Sequence, residues 1–211
     1  MNHPIVLQGR RVRVESLSPE HMPELREIGN DPSIWQYTFS ENPFTNDRDA
    51  GNWFAEATLG GDTRTFAVID CGTGKVAGST RFYGISEKDR KLEIGYTFYG
   101  TRYWRTAVNT ETKLLLLSYA FEEWNAERVQ LTAEAINARS HRAILRIGAT
   151  HEGLLRSYRI RSTGEVRDVN IYSIVKAEWP AVKARLVSLA DRTRDIPAAG
   201  SASAVPASPS A

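Results

Sequence analysis

Residues 91–124 of the sequence join a strand that carries a carboxylate, a short polar loop and an apolar helix. The carboxylate belongs to Glu93, and the polar loop runs over residues 104–110. The first amides of a helix lack intrahelical partners and lie at the positive end of the helix dipole. A loop that leads into a helix can therefore bind an anion, and this stretch predicts such a site beside the carboxylate.

The segment before the loop alternates in polarity, as a half-buried strand does. Glu93 and Gly95 are expected to share one face of this strand, because side chains alternate between the two faces. The opposite, apolar face is predicted to consist of Leu92, Ile94, Tyr96 and Phe98.

The elements after the loop predict a parallel strand pair. Residues 108–124 carry apolar side chains around most of a helix, which indicates burial against a sheet. Residues 128–136 alternate again and read as a strand parallel to the one before the helix, through a βαβ crossover. The active centre is expected where these two strands part.

The remaining chain predicts a mixed α/β fold in which a mostly antiparallel sheet is flanked by helices. Gly-containing or charged turns separate most of the strands, which favours an antiparallel meander. Further strands are expected at residues 5–17, 64–70, 75–85, 154–161 and 166–175, and further helices at residues 18–28, 31–37, 45–59, 138–147 and 179–190.

Composition limits the function classes. The formal net charge of +2 and the pI of 8.7 are too small to indicate a nucleic-acid-binding protein. Cys71 is the only cysteine, so no intrachain disulfide can form, and the four histidines lack the spacing of metal ligands. No signal peptide or membrane span is visible, which predicts a cytoplasmic protein. One domain is expected over residues 1–192, followed by a disordered Ala/Ser/Pro tail at residues 193–211.

A series of short motifs resembles the GNAT N-acetyltransferases, and within them the RimJ/RimL-like branch of ribosomal-protein acetyltransferases. The resemblance covers almost the whole chain before the tail, and the order and spacing of the motifs are more specific than any one of them. The motifs are Arg11-Val-Arg13-Val, Ser18-Pro-Glu-His, Asp31-Pro-Ser-Ile-Trp35, Trp53-Phe54, Leu92-Glu-Ile-Gly-Tyr96, Tyr119-Ala-Phe-Glu122, Asn137-Ala-Arg-Ser140 and Gly164-Glu-Val-Arg-Asp168.

The resemblance implies the GNAT fold and acetyl-CoA as cosubstrate, with the pyrophosphate bound by the loop and the helix start. In the family this loop carries glycines, and Arg105, Ala107 and Asn109 stand at the matching positions. An ordinary helix start capped by Thr106, Asn109 or Thr110 is the alternative. The implied cofactor-binding residues are Tyr96, Thr97, Trp104, Arg105, Thr106, Ala107, Val108, Asn109, Thr110, Asn137 and Arg142.

The resemblance also implies catalytic roles. Glu93 is the candidate base that takes a proton from the acceptor amine, although an ion pair with Arg81 or another arginine is an equally good interpretation. A backbone amide near Tyr96 or Thr97 is the candidate donor to the thioester oxygen. Ser140 is the candidate hydrogen-bond donor to the departing thiolate, unless it merely forms a turn and cap with Asn137.

The sequence thus favours an acetyl-CoA-dependent N-acetyltransferase that acts by direct transfer in a ternary complex. The expected partner is an amine such as a protein N-terminus or a small amine, without metal, nucleic acid or membrane, and the protein is a monomer or a homodimer. The changed loop motivates a second hypothesis, a GNAT-fold binding or interaction module with little or no catalysis.

Overall fold

The computed structural model describes residues 4–36, 38, 41–161 and 163–193, so the predicted tail lies outside the described residues except for Thr193. Its strands form one sheet of eight. The strands are β1 (Val6–Gln8), β2 (Val12–Ser16), β3 (Arg64–Asp70), β4 (Val76–Ser86), β5 (Lys91–Tyr99), β6 (Arg128–Glu134), β7 (Thr150–Ile160) and β8 (Val166–Val175).

The sheet has the strand order β1-β2-β3-β4-β5-β6-β8-β7 and is antiparallel except between β5 and β6. The parallel pair is short, since its register runs only from Lys91 opposite Arg128 to Glu93 opposite Gln130. This confirms the predicted mixed fold and the crossover, and it places Glu93 at the last paired position before the strands part.

Helices cover both faces of the sheet. Each face has its own hydrophobic cluster. One cluster includes Leu25 of α1 and Ala50 of α2, and the other includes Leu116 of α3, Ile144 of α4 and Leu186 of α5. The helices are α1 (Met22–Gly29), α2 (Asp47–Leu59), α3 (Val108–Ser118), α4 (Ala138–Arg146) and α5 (Trp179–Arg192), with short 3-10 turns at Pro19–His21, Pro32–Ile34, Thr101–Tyr103 and Lys176–Glu178. None of the helices described is long and apolar enough to cross a membrane.

An aromatic cluster fixes α2 against the sheet. Phe44 lies 5.1 Å from Trp53 and 6.0 Å from Phe98, measured between ring centroids. Trp35 completes the cluster at 5.2 Å from Phe98. Edge-to-face contacts at such distances stabilise beyond the area that the rings bury. This cluster holds Trp53 and the rest of α2 beside the carboxylate-bearing face of β5.

Several boundaries predicted from the sequence were wrong; for example, β7 begins at Thr150 rather than at residue 154, and the helix expected at residues 31–37 is a 3-10 turn at Pro32–Ile34. Residues 5–17 form two strands rather than one, because the chain turns at Gly9, whose amide donates to the Val12 carbonyl at 2.9 Å. The buried Glu111 carboxylate stabilises that turn by accepting the amides of Arg10 and Arg11. The helix predicted to reach residue 124 ends at Ser118 and continues as one π-helical turn, Tyr119–Glu123.

Candidate active site

Glu93 lies at the centre of a group of neutral hydrogen-bond donors. Its Oε1 accepts from the Tyr83 hydroxyl and from Thr132 Oγ1 at 2.6 Å, and its Oε2 accepts from Gln130 Nε2 at 2.9 Å. A carboxylate can accept about four hydrogen bonds, so these three orient it and leave capacity on Oε2. The predicted alternative was an ion pair with Arg81 or another arginine, and the described residues show no such pair for Glu93.

Tyr83 is part of this arrangement through its ring as well as its hydroxyl. Burial and the neighbouring Glu93 charge raise the pKa of Tyr83, so the phenol stays protonated and donates to the carboxylate. The ring also requires the glycine at position 95, since a Cβ there would lie 2.8 Å from Tyr83 Cε1. Glu93 and Gly95 therefore share one face, as predicted.

A bulge in β5 follows directly. Arg81 pairs with Gly95 and Ser79 with Phe98, so Tyr96 and Thr97 lie outside the register with β4. Tyr96 has a φ of 49°, which turns its side chain away from the predicted apolar face and leaves it 39% exposed. The prediction for Tyr96 was wrong on this point. The bulge nevertheless gives two backbone amides near the point where β5 and β6 part, where an oxyanion donor was predicted.

Side chains from α2 and β5 surround the Arg81 guanidinium next to the Glu93 group. The Arg81 guanidinium carbon lies 4.4 Å from the centroid of Tyr96 and 6.0 Å from that of Trp53. Tyr96 also contacts Tyr83, with a centroid distance of 5.0 Å, and so joins these side chains to the Glu93 group. We refer to Trp53, Glu56, Arg81 and Tyr96 as the arginine slot.

The loop before α3 ends at an N-cap residue that has no polar side chain. Ala107 occupies the N-cap position and provides no side-chain cap, while the Thr106 hydroxyl accepts from the Val108 amide at 3.3 Å. Arg105 adopts a φ of 60°, a conformation that favours glycine, and its side chain is exposed. The left-handed residue of this loop is thus Arg105, while Asn109 lies inside the helix.

Most of this loop is enclosed by the protein. Thr106, Ala107 and Val108 are buried, with 5%, 0% and 0% of each residue exposed, backbone included, whereas Arg105 is exposed. Thr110 is fully buried and accepts a hydrogen bond from Arg146 of α4 at 2.9 Å. A capping role for Asn109 or Thr110 was therefore a wrong alternative, and Thr110 connects two helices instead.

The start of α4 is capped by Asn137, whose Oδ1 accepts the Ser140 amide at 3.0 Å. This is the turn-and-cap arrangement that the sequence left open, and Ser140 is half-buried. Arg139 stacks on Trp104 with its guanidinium carbon 4.0 Å from the ring, which connects α4 to the loop before α3. Arg142 is exposed.

His141, by contrast, faces the protein interior. Its Nδ1 lies within hydrogen-bond distance of the Tyr172 hydroxyl, and its Nε2 lies 2.9 Å from the Glu134 carbonyl oxygen. These contacts fix the ring against β6 and β8.

Lys113 is a buried amine that sequence reasoning missed. It is 6% exposed, and its Nζ donates to Thr97 Oγ1 at 3.1 Å, which in turn lies 2.8 Å from Thr80 Oγ1. Burial lowers the pKa of Lys113 to about 7. The spacing could have revealed it, because Lys113 precedes the buried Leu116, Leu117 and Ala120 at helical intervals.

Two arginines of the C-terminal hairpin, Arg161 and Arg167, lie against the buried carboxylate of Glu134. Arg161 donates to both oxygens of the buried Glu134 at 2.9 Å, and Arg167 Nε lies 3.7 Å from Glu134 Oε2. Asp168 Oδ1 accepts the Ser157 amide at 2.7 Å, which connects the two strands of the C-terminal hairpin. Within the described residues no group of three or more His, Cys, Asp or Glu side chains could hold a metal.

Comparison with known proteins gives one consistent result. The family model described as an acetyltransferase (GNAT) domain matches residues 11–150. An uncharacterized N-acetyltransferase, p20 of Bacillus licheniformis, is 27% identical over 176 residues, covering 82% of this chain and 97% of p20.

Solved structures show the same fold. A GCN5-related N-acetyltransferase from Brucella melitensis is 28% identical with a TM-score of 0.82, covering 88% of this chain and 85% of that one. Spermidine N-acetyltransferase from Vibrio cholerae, solved with CoA and spermine, is 17% identical with a TM-score of 0.68 and covers 81% of this chain and 98% of that one. The second likeness concerns the fold alone.

Proposed function

Because the chain belongs to the GNAT acetyltransferase family, we propose that it transfers an acetyl group from acetyl-CoA to a primary amine by direct attack in a ternary complex. The observation that carries the proposal is Glu93, a half-buried carboxylate held by neutral donors where β5 and β6 part. The RimJ/RimL branch, a protein N-terminus as acceptor and a cytoplasmic location stay predictions.

The start of α3 and Arg105 are the proposed contacts to the pyrophosphate of the cosubstrate. The N-cap residue Ala107 has no side-chain acceptor, the Thr106 hydroxyl accepts the Val108 amide, and the exposed Arg105 can add a charge-assisted contact to an anion. Asn137 and Arg142 are the proposed contacts at the start of α4. Acetyl-CoA supplies the activated acetyl group as a thioester.

Glu93 holds the proton in the proposed reaction. An amine attacks only as the free base, so the proton lost by the acceptor nitrogen passes to Glu93, directly or through water. The amides of Tyr96 and Thr97, which lie at the bulge, are the proposed donors to the thioester oxygen as the nitrogen–carbon bond forms. The carbon–sulfur bond then breaks, and the Ser140 hydroxyl donates a hydrogen bond to the thiolate.

The test is Glu93→Gln, measured by acetyl transfer to a panel of amines and by isothermal titration with CoA. Turnover is expected to fall about 10²- to 10⁴-fold, because the amide cannot take the proton, while CoA affinity stays unchanged. The control is Glu127→Gln, which removes a carboxylate from an exposed ion pair with Arg90. Turnover that stays unchanged in Glu93→Gln would contradict the base assignment.

A second candidate function is a binding or interaction module without efficient catalysis. It is favoured by Arg105, which takes a left-handed φ of 60° at a position matched by a glycine in the family. A melting scan with CoA at about 100 times the dissociation constant distinguishes the two, since binding adds roughly 2.7 kcal/mol. No stabilisation by CoA at millimolar concentration, with the protein folded, would favour the module.

A further inference from the structure

We propose that the arginine slot binds a carboxylate of the acceptor, so that the preferred acceptors are amines that carry a carboxylate several bonds from the nitrogen. This inference rests on the proposed function and names the substrate class of the same site. It concerns Arg81, which lies on β4 two residues from Tyr83 and is not among the residues assigned to the reaction.

The Arg81 guanidinium is buried without full compensation. Its side chain is 4% exposed, and neither Nε nor Nη2 has a hydrogen-bond partner among the described residues. Buried polar groups are nearly always satisfied, and an uncompensated buried charge is strongly unfavourable. Stacking on Tyr96 offsets part of this penalty, and the two free donors remain. Such a group calls for an anion that the described residues do not fully provide.

Glu56 occupies the place of that anion only weakly. Its Oε1 lies 3.4 Å from Arg81 Nη1, longer than a usual charge-assisted hydrogen bond, and its side chain is 70% exposed. Because the Glu56 side chain is mostly exposed, its carboxylate can turn into water, and Arg81 keeps its compensation when another anion takes that place. An incoming carboxylate would then replace it on Nη1 and extend to Nη2, since a guanidinium binds a carboxylate through two parallel hydrogen bonds.

The slot and the proposed base have a spacing that an acceptor can span. Arg81 and Tyr83 are two residues apart on one strand face, which is about 7 Å, and the Tyr83 hydroxyl donates to Glu93. Tyr96 contacts both Arg81 and Tyr83. An acceptor with its amine at Glu93 and its carboxylate at Arg81 would therefore lie along Tyr96, and glycine would be too short to reach both.

The experiment measures binding and transfer in matched pairs of acceptors. The small-molecule arm uses 4-aminobutyrate and 6-aminohexanoate against their carboxamides, and the peptide arm uses Gly-Glu-Gly amide against Gly-Gln-Gly amide. Dissociation constants come from titration of the CoA-loaded protein, and kcat and KM come from acetyl transfer. The two arms distinguish a small amino acid from a protein N-terminus with an acidic neighbour.

Two variants move the result in opposite directions. Arg81→Met is expected to weaken binding of the carboxylate members about 10- to 100-fold and to leave the neutral members unchanged. Glu56→Gln removes the internal competitor and is expected to tighten carboxylate binding about two- to fivefold, mainly in KM. Because Glu56 is exposed, this variant keeps the test decisive even where Arg81→Met fails to fold.

Carboxylate members that bind no tighter than their amides, or an unchanged preference in Glu56→Gln, would overturn the proposal. Equal transfer to neutral amines would do so while leaving the proposed acetyltransferase function intact. A carboxylate preference in binding without any acetyl transfer would support the slot and count against the proposed function.

Discussion

Buried charges at the end of β6 and at the β4–β5 bulge differ in how well neighbouring groups compensate them. At the end of β6, the Glu134 carboxylate is fully buried and accepts hydrogen bonds from Arg161, with Arg167 nearby. At the β4–β5 bulge, two donors of Arg81 lack partners among the described residues, and within the same part of the chain the Lys113 amine donates to the Thr97 hydroxyl alone.

The difference separates structural from functional charge. A buried carboxylate whose two oxygens both accept from an arginine holds strands together, which fits the position of Glu134 between β6 and the C-terminal hairpin. Buried cations without anionic compensation are unfavourable for folding, and proteins keep such groups mainly where a ligand or a reaction uses them. In this chain the undercompensated pair flanks the bulge beside Glu93, on opposite faces of the sheet.

The largest expected effect comes from breaking the compensated end. Glu134→Gln leaves Arg161 and Arg167 beside a neutral amide, and loss of one partner of a buried pair costs about 3–5 kcal/mol. Urea denaturation should show this loss, while acetyl transfer per folded molecule stays near that of the parent. Glu165→Gln, which removes the exposed partner of Arg167, is the matched control and should change stability far less. An equal loss in both variants would contradict the comparison.

Replacing the buried amine of Lys113 should raise the stability of the fold rather than lower it. The pKa of Lys113, about 7 in the fold, is below its ordinary value of 10.5, so between these pH values the unfolded chain binds more protons than the folded one. The penalty of Lys113 is therefore complete below pH 7 and disappears as the pH rises towards 10.5. Lys113→Met should be more stable than the parent at pH 6.

The checking measurement is the difference in unfolding free energy between parent and Lys113→Met at several pH values. The gap should narrow by roughly 2 kcal/mol between pH 7 and 9, at no more than about 1.4 kcal/mol per pH unit. Lys91→Met, which removes an exposed lysine paired with Asp89, is the control and should show no such trend. A gap that does not depend on pH would mean that Lys113 is charged in the fold.

Periodicity was sufficient to predict the frame of the site. The alternation around Glu93 placed that carboxylate on the face shared with Gly95, and the strand–helix–strand order predicted the parallel pair of β5 and β6. These features are local or follow from the handedness of the crossover. The Asn137–Ser140 cap was likewise available as an alternative, because capping depends on residues close in sequence.

The remainder of the site depends on contacts between distant residues. A bulge adds one residue to a strand without a signal in the hydrophobic pattern, so the exposure of Tyr96 was predicted wrongly. The donors that orient Glu93 come from β4 and β6, and the partners of Arg81 come from α2 and β5. Such sets of partners arise only when the elements pack.

The smallest expected effect comes from a charge pair at the surface. This pair tests whether burial, rather than pairing alone, determines how much a charge pair contributes to stability. Glu152 pairs with Arg128 at 2.5 Å, and hydrogen bonds from Arg128 and Ser173 lower the pKa of Glu152 to about 2. The lowered pKa means that this pair stabilises the fold fully above pH 4.5 and loses its effect as the pH falls through about 2.

Because the Glu152 side chain is 37% exposed, solvent screens most of this interaction, and Glu152→Gln should lose no more than about 1 kcal/mol at pH 7. The difference from the parent should vanish near pH 2 and shrink in high salt. Arg128 also donates to Gln130, which holds Glu93, so a loss of turnover larger than the loss of stability would connect this surface pair to the site. A loss of about 3 kcal/mol or more in the free energy of unfolding would mean that Glu152 contributes as much as the buried Glu134. Burial would then not explain the difference between the two pairs.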